Sequence, residues 1–323
     1  MSALEVVIPE GYQAAISGSA YYVWENPGFL RISGADRQAF LQRQTTNDLE
    51  LLKPAGFLVS VLTNPAARIL DVLTLVDETE SLLGITLPGH GEGTHHYLRS
   101  RIFFNDKVTV VDVSHEMALI DLLGPGIADL LARLGIDRAP EENKVTTKAI
   151  NGSAVQVIRQ RGLGYRLVCQ AREVAALRAA LDQSGAFCLP YDALDILRIE
   201  SGIPGAGQEL TDEYTPLEAG LGWAISDSKG CYTGQEVIAR QITYDKVTHR
   251  LVGLRLDQLV QVGESVLSTE EDRQVGRITS AAISPRQGPI ALAILRRPYD
   301  QPGRQIALGG SPVFSATVVP LPF

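Results

Sequence analysis

The texture of the chain changes once, near residue 245, and that change constrains the fold more than any other feature. Downstream of Val247 the apolar residues come in short runs, at 251–256, 275–283, 290–295, 304–308 and 313–319, with Gly, Pro and Ser between them. Such spacing predicts a small all-β barrel. Upstream, strand-like and helix-like stretches are mixed and their connections are short. Long crossover helices are not regularly interposed, so the expected class is α+β and not a doubly wound parallel sheet. With 323 residues the chain exceeds what a single core supports. The expected division is 1–245 for the α+β region and 246–323 for the barrel.

Within the first region Phe29-Leu-Arg-Ile-Ser reads as a strand, followed by Gly34 and a helix with apolar positions at 35, 39, 40 and 41. Ser33 and Asp36 resemble a capping box. Phe57 to Leu62 and Ile69 to Val76 are apolar, β-branched runs around Asn64-Pro65, which predicts a strand pair, and Leu82 to Leu87 adds a third strand. Gly91 to Phe104 reads as a helix, Val108 to Val113 and Ala118 to Leu123 as strands, and Gly124-Pro125 opens a helix through Leu134. The charged stretch Pro140 to Lys148 lacks apolar periodicity and is expected to be a surface connection. Strands at Ala154 to Ile158 and Tyr165 to Cys169 precede a helix with Val174, Leu177 and Leu181 on one face, and Asp192 to Glu200 predicts another helix.

Composition narrows the function classes. Hydrophobic residues make up 45% and charged residues 20%, ordinary for a globular protein, and no apolar run approaches the roughly 20 residues that cross a bilayer. The N-terminal segment has neither a basic n-region nor a long apolar h-region, which leaves the cytoplasm as the expected location. The formal net charge of −8 argues against strong non-specific nucleic-acid binding. Cys169, Cys188 and Cys231, without a Cys-x-x-Cys pair, cannot build a disulfide framework or a four-thiolate cluster site within one chain.

One of those cysteines has unusual company. Lys229-Gly-Cys-Tyr-Thr-Gly-Gln-Glu places Cys231 between two glycines, ahead of a helix whose apolar residues fall at 237, 238, 239 and 242. Gly230 and Gly234 can take φ > 0, so Cys231-Tyr232-Thr233 reads as an exposed turn held at both ends. The helix N-terminus and Lys229 would favour thiolate, opposed by Glu236. Free cysteines are commonly small buried hydrophobes, and that structural role is the alternative.

The octapeptide resembles, residue for residue, the signature of the YgfZ family of folate-binding proteins, which are linked to iron-sulfur cluster assembly and repair and share the fold of the glycine-cleavage T-protein. Other segments resemble T-protein stretches in the right order: Phe29-Leu-Arg-Ile-Ser-Gly-Ala-Asp with Phe40-Leu-Gln, Leu197-Arg-Ile-Glu-Ser-Gly, Thr215-Pro-Leu-Glu-Ala-Gly-Leu-Gly-Trp, Val275-Gly-Arg-Ile-Thr-Ser with Ser284-Pro, and the C-terminal Ala316-Thr-Val-Val-Pro-Leu-Pro-Phe. The resemblance implies a three-domain cloverleaf, two interleaved α+β domains and a C-terminal β-barrel around a central tetrahydrofolate pocket.

A folate requires a carboxylate for the N–H-rich edge of its pterin, apolar walls for the ring and cations for its tail. Glu218, in the apolar setting Pro216-Leu217 to Trp223, is the first candidate acid, because a lone charge there needs a partner. Glu200, at a predicted helix end, is the second, with a solvated helix terminus as its structural alternative. Lys229 and Arg240 are candidates for the tail, and the resemblance adds Tyr232. Asp71 interrupts the apolar run Ile69-Leu70-Val72-Leu73 and falls where T-proteins carry an Asp-Asp pair that includes the catalytic acid. Here the pair reads Asp71-Val72, so hydrogen bonding to a turn is the alternative. His95-His96 do not share a helix face, and no metal site is expected. The expected function is a tetrahydrofolate-binding protein that supports iron-sulfur enzymes through Cys231, with those enzymes or their assembly proteins as partners. The alternative is an aminomethyltransferase that passes a one-carbon unit to tetrahydrofolate.

Overall fold

The computed structural model describes residues 8–150, 152–270, 273–309 and 314–323. The chain divides into two compact units. The larger comprises Glu10–Tyr191 with Ala224–Gln235, and the other comprises Asp192–Trp223, Glu236–Phe323 and the described residues before Glu10.

The larger unit is built on two sheets. One has five antiparallel strands in the order β3-β4-β5-β2-β6: Phe57–Thr63, Ile69–Asp77, Ser81–Ile85, Phe29–Ser33 and Thr109–Asp112. The other has six strands in the order β11-β1-β7-β10-β9-β8: Phe187–Cys188, Ala20–Val23, Met117–Leu123, Gly164–Gln170, Ser153–Gln160 and Val145–Ile150. Only β1 and β11 run parallel within it. Period-2 alternation decides what each face meets. Phe29, Val76, Leu83 and Ile85 of the first sheet pack on Leu119, Ile158 and Val168 of the second. Leu30, Ile32, Leu73 and Leu75 face the other way, onto Phe40 and Leu41 of α2 (Arg37–Gln44) and Leu98 of α3 (Gly91–Ser100). The outer face of the second sheet buries Ile120, Leu122 and Leu167 against α4 (Ile127–Arg133) and α5 (Val174–Gln183). The order of layers is therefore helix, sheet, sheet, helix.

In the other unit a closed six-stranded barrel runs β12-β15-β14-β13-β16-β17: His249–Leu256, Gly288–Arg296, Gln274–Ser284, Ser265–Leu267, Gln305–Leu308 and Phe314–Val319. Leu254, Val266, Ile278, Leu295, Ile306 and Val318 belong to its core. Ile199 of α6 (Tyr191–Glu200) packs outside it on Ala282, Ile290 and Leu292. A register shift between Ile278 and Ser280 re-aims β14. It leaves Ser280 donating to Glu209 Oε1 at 2.6 Å. Arg198 of α6 meets Glu209 at 3.3 Å and Ser280 at 3.0 Å in the same buried knot. α7 (Gln235–Thr243) follows the cysteine motif. Among the described residues no helix is long and apolar enough to cross a membrane.

Three sequence expectations need correction. Pro140 to Lys148 is not wholly a surface connection, because Val145–Ile150 forms the edge strand of the six-stranded sheet. Its pattern is masked by Thr147, Lys148 and Ala149, which are exposed, as an edge allows. The Ser33/Asp36 capping box is not made. Asp36 gives α2 no side-chain cap, and its Oδ2 instead accepts the Lys107 N–H at 2.8 Å. Gly230 does not use the left-handed region, whereas Gly234 does, at φ 84°.

Candidate functional site

The cysteine motif lies in the larger unit as an irregular segment that ends where α7 starts. Cys231 is exposed. Its neighbours are anchored, each in a different way. The Lys229 side chain turns inward, and its ammonium donates to the carbonyls of Gln42 (2.7 Å), Thr45 (2.8 Å) and Asn47 (2.7 Å) at and just beyond the C-terminal end of α2. Burial pushes that ammonium down to about 8, with Asp48 opposing. The Tyr232 ring packs on it, 5.1 Å from Nζ to the ring centroid. The ring is buried, and burial pushes the phenol up to about 12. Thr233 N–H donates to Arg43 O at 3.3 Å, and the Thr63 hydroxyl donates to Thr233 O at 2.7 Å. Gly234 is locked twice: its φ is positive, and a Cβ there would lie 2.8 Å from Asn64 O. A Cβ on Gly230 would meet nothing within 4 Å.

The turn is thus exposed at Gly230 and Cys231 and buried at Tyr232, not exposed throughout as the sequence predicts. Lys229 is not the solvent-facing cation expected beside the thiol or on a folate tail. An ammonium has three N–H groups, and all three are engaged by main-chain carbonyls. Arg240 stands on the exposed face of α7, paired with Glu236 at 2.8 Å. Among the other cysteines, Cys169 is buried, with burial and Glu173 pushing it up to about 11, and Cys188 is half-buried beside Arg178.

Asp71 is fully buried on β4. Its Oδ1 accepts the Val72 and Leu87 N–H groups at 2.8 and 2.9 Å, and its Oδ2 accepts the Thr94 hydroxyl at 2.6 Å. His90 lies 4.0 Å away. Burial, outweighing these hydrogen bonds, pushes the carboxyl up to about 6. The geometry is that of a pin between β4 and the segment leading into α3. This is the hydrogen-bonding role weighed beside the catalytic one, and no part of the side chain faces solvent. His95 Nε2 lies 3.2 Å from Val110 O. Among the described residues no group of three or more His, Cys, Asp and Glu side chains converges to hold a metal.

The two candidate glutamates belong to the barrel unit. Glu200 ends α6 buried, where it accepts the Ser284 hydroxyl and pairs with Arg286 in the β14–β15 hairpin. It braces the helix on the barrel. Glu218 has the partners its apolar setting demanded. Oε2 accepts the Thr215 N–H at 3.0 Å and the Thr215 hydroxyl at 3.2 Å, while Oε1 lies 3.3 Å from His249 Nδ1 at the start of the barrel. Gln241 Nε2 donates to Thr215 Oγ1 at 3.3 Å. Because the threonine proton goes to Glu218, the nitrogen of the amide must face Thr215. That leaves Gln241 Oε1 as a buried acceptor with no partner among the described residues. Sequence reasoning missed Thr215, Gln241 and His249 as members of this cluster. The apolar surroundings of Glu218 were the only signal that partners existed.

The chain belongs to the glycine cleavage T-protein family. Residues 23–229 match the GCVT N-terminal domain, and residues 249–323 match the glycine cleavage T-protein C-terminal barrel domain. It is 30% identical to a putative chloroplastic transferase of Arabidopsis thaliana over 78% of this chain, and spans 59% of that relative's length. It is 28% identical to an aminomethyltransferase of Geobacillus kaustophilus, over 98% of this chain and 90% of the relative. The fold matches that of the glycine cleavage system aminomethyltransferase T from Bartonella henselae with a TM-score of 0.86 and 21% identity, over 97% and 88% of the two chains.

Proposed function

We propose that the protein binds tetrahydrofolate and supports iron-sulfur enzymes or their assembly partners through the Cys231 thiol. Residues of the barrel unit support the folate half of this reading. A pterin edge carries an amino group and a ring N–H, both donors; what supports the reading is that the Glu218 carboxylate and the Gln241 amide both bond Thr215, and that Gln241 Oε1 is a buried acceptor with no partner among the described residues. Bound folate would supply one-carbon chemistry. The chain's own contribution is to hold and orient that edge. The single observation that carries the thiol half of the proposal is the exposure of Cys231 in a loop whose next residues are all tied down.

Calorimetric titration with tetrahydrofolate tests the first half. Binding that is weakened at least tenfold in Glu218→Gln is expected. The absence of heat and of competition at millimolar folate overturns it.

A second reading, aminomethyl transfer to tetrahydrofolate, is favoured by what the relatives are called. Against it stand the sealed position of Asp71 and the valine beside it, whose side chain cannot accept a hydrogen bond. Turnover with an aminomethylated lipoyl carrier of roughly 1 per second or more, an ordinary enzymatic rate, would put this reading first.

A further inference from the structure

Lys229 does more than fill space beneath the motif. Three carbonyls converge on one ammonium; those of Gln42 and Thr45 belong to the end of α2, where main-chain acceptors lack helical donors and the dipole favours a cation, and that of Asn47 lies just beyond it. The same lysine is tied at its other atoms. Its N–H donates to Ser226 Oγ at 3.2 Å, and its carbonyl accepts from Gln235 Nε2 at 3.4 Å. Lys229 therefore connects three points: the end of α2, the approach to the motif and the start of α7. Between the Lys229 and Tyr232 anchors only Gly230 and Cys231 remain exposed.

We propose that Lys229 is the positioning residue of Cys231, fixing by its three carbonyl contacts where the thiol stands. The inference rests on the functional reading of Cys231 but concerns a different property, the order of the loop. Without the ammonium, the Gln42, Thr45 and Asn47 carbonyls lose a shared donor, and Tyr232 loses the cation beneath its ring. The motif then samples many positions although the cysteine is unchanged.

The test attaches a nitroxide to Cys231 in a Cys169→Ser, Cys188→Ser background and compares label motion in full-length protein with Lys229, Lys229→Met and Lys229→Arg. The expected result is a slow, anisotropic spectrum with lysine and at least a threefold shorter correlation time with methionine. Arginine keeps the charge but replaces the compact ammonium by a planar fork, so it should restore the order only in part. Unlabelled Lys229→Met should retain an alkylatable Cys231 yet lose support of iron-sulfur enzymes. If Lys229→Met does not fold, Lys229→Gln takes its place in the comparison. Equal label motion in the lysine and methionine proteins overturns the proposal, as does full function in a variant with a mobile label. Full function in Cys231→Ser would instead overturn the reading of the thiol and leave the label result standing.

Discussion

Replacing Asp71 by Asn removes a buried charge while keeping the shape of the side chain. The Asn Oδ1 can still accept the Val72 and Leu87 N–H groups, and its Nδ2 can donate to Thr94 Oγ1. The native carboxyl is raised to about 6, against an unfolded value of roughly 3.9. Since the folded value is the higher one, the linked contribution to stability is fully present below about pH 4 and is lost as pH rises through about 6. A shift of about two units corresponds to ~3 kcal/mol. The stability of the native protein minus that of Asp71→Asn should therefore fall by about 2 kcal/mol between pH 4 and pH 7. Urea unfolding of both proteins across that range measures the difference at each pH. A difference that changes by less than ~1 kcal/mol, or that grows with pH, refutes the claim that desolvation dominates at this carboxyl.

Three other outcomes follow from the geometry. Gly234→Ala should destabilise by about 1–3 kcal/mol in urea unfolding, since it combines a left-handed φ with a Cβ 2.8 Å from Asn64 O. Gly230→Ala, whose Cβ meets nothing within 4 Å, should stay within about 0.5 kcal/mol. Glu209→Ala removes the fully buried one of two carboxylates on Arg198, leaving Asp195 at 2.7 Å, and should cost about 1–3 kcal/mol, visible as a lower Tm.

The elements were legible where periodicity was strong and illegible where it was short. The barrel could be read from its apolar runs, and α2, α5 and α6 from their buried stripes. Ser265–Leu267 and Phe187–Cys188, of three and two residues, are too short to alternate, and their strand character comes only from the neighbours they pair with. For the candidate residues the sequence offered types but not the directions their side chains take. A lysine next to an exposed cysteine gives no local sign that its side chain will run back under α2, because the carbonyls that capture it lie more than 180 positions away in sequence. Glu200 and Glu218 illustrate the same limit. Glu218 was recognisable as an acid needing a partner and Glu200 only as an acid at a helix end, and Arg286 and His249 come from barrel strands and hairpins whose register no single segment specifies.

The central claim, that Cys231 acts as a thiol and Asp71 as a structural pin, is tested most directly in a strain that lacks this chain, by measuring the activity of an iron-sulfur enzyme after complementation. Cys231→Ser should leave the Tm of the purified protein nearly unchanged, because the side chain is exposed, and should fail to restore activity, whereas the native chain and Asp71→Asn should both restore it. Restoration by Cys231→Ser, or its loss in a well-folded Asp71→Asn, would contradict the account.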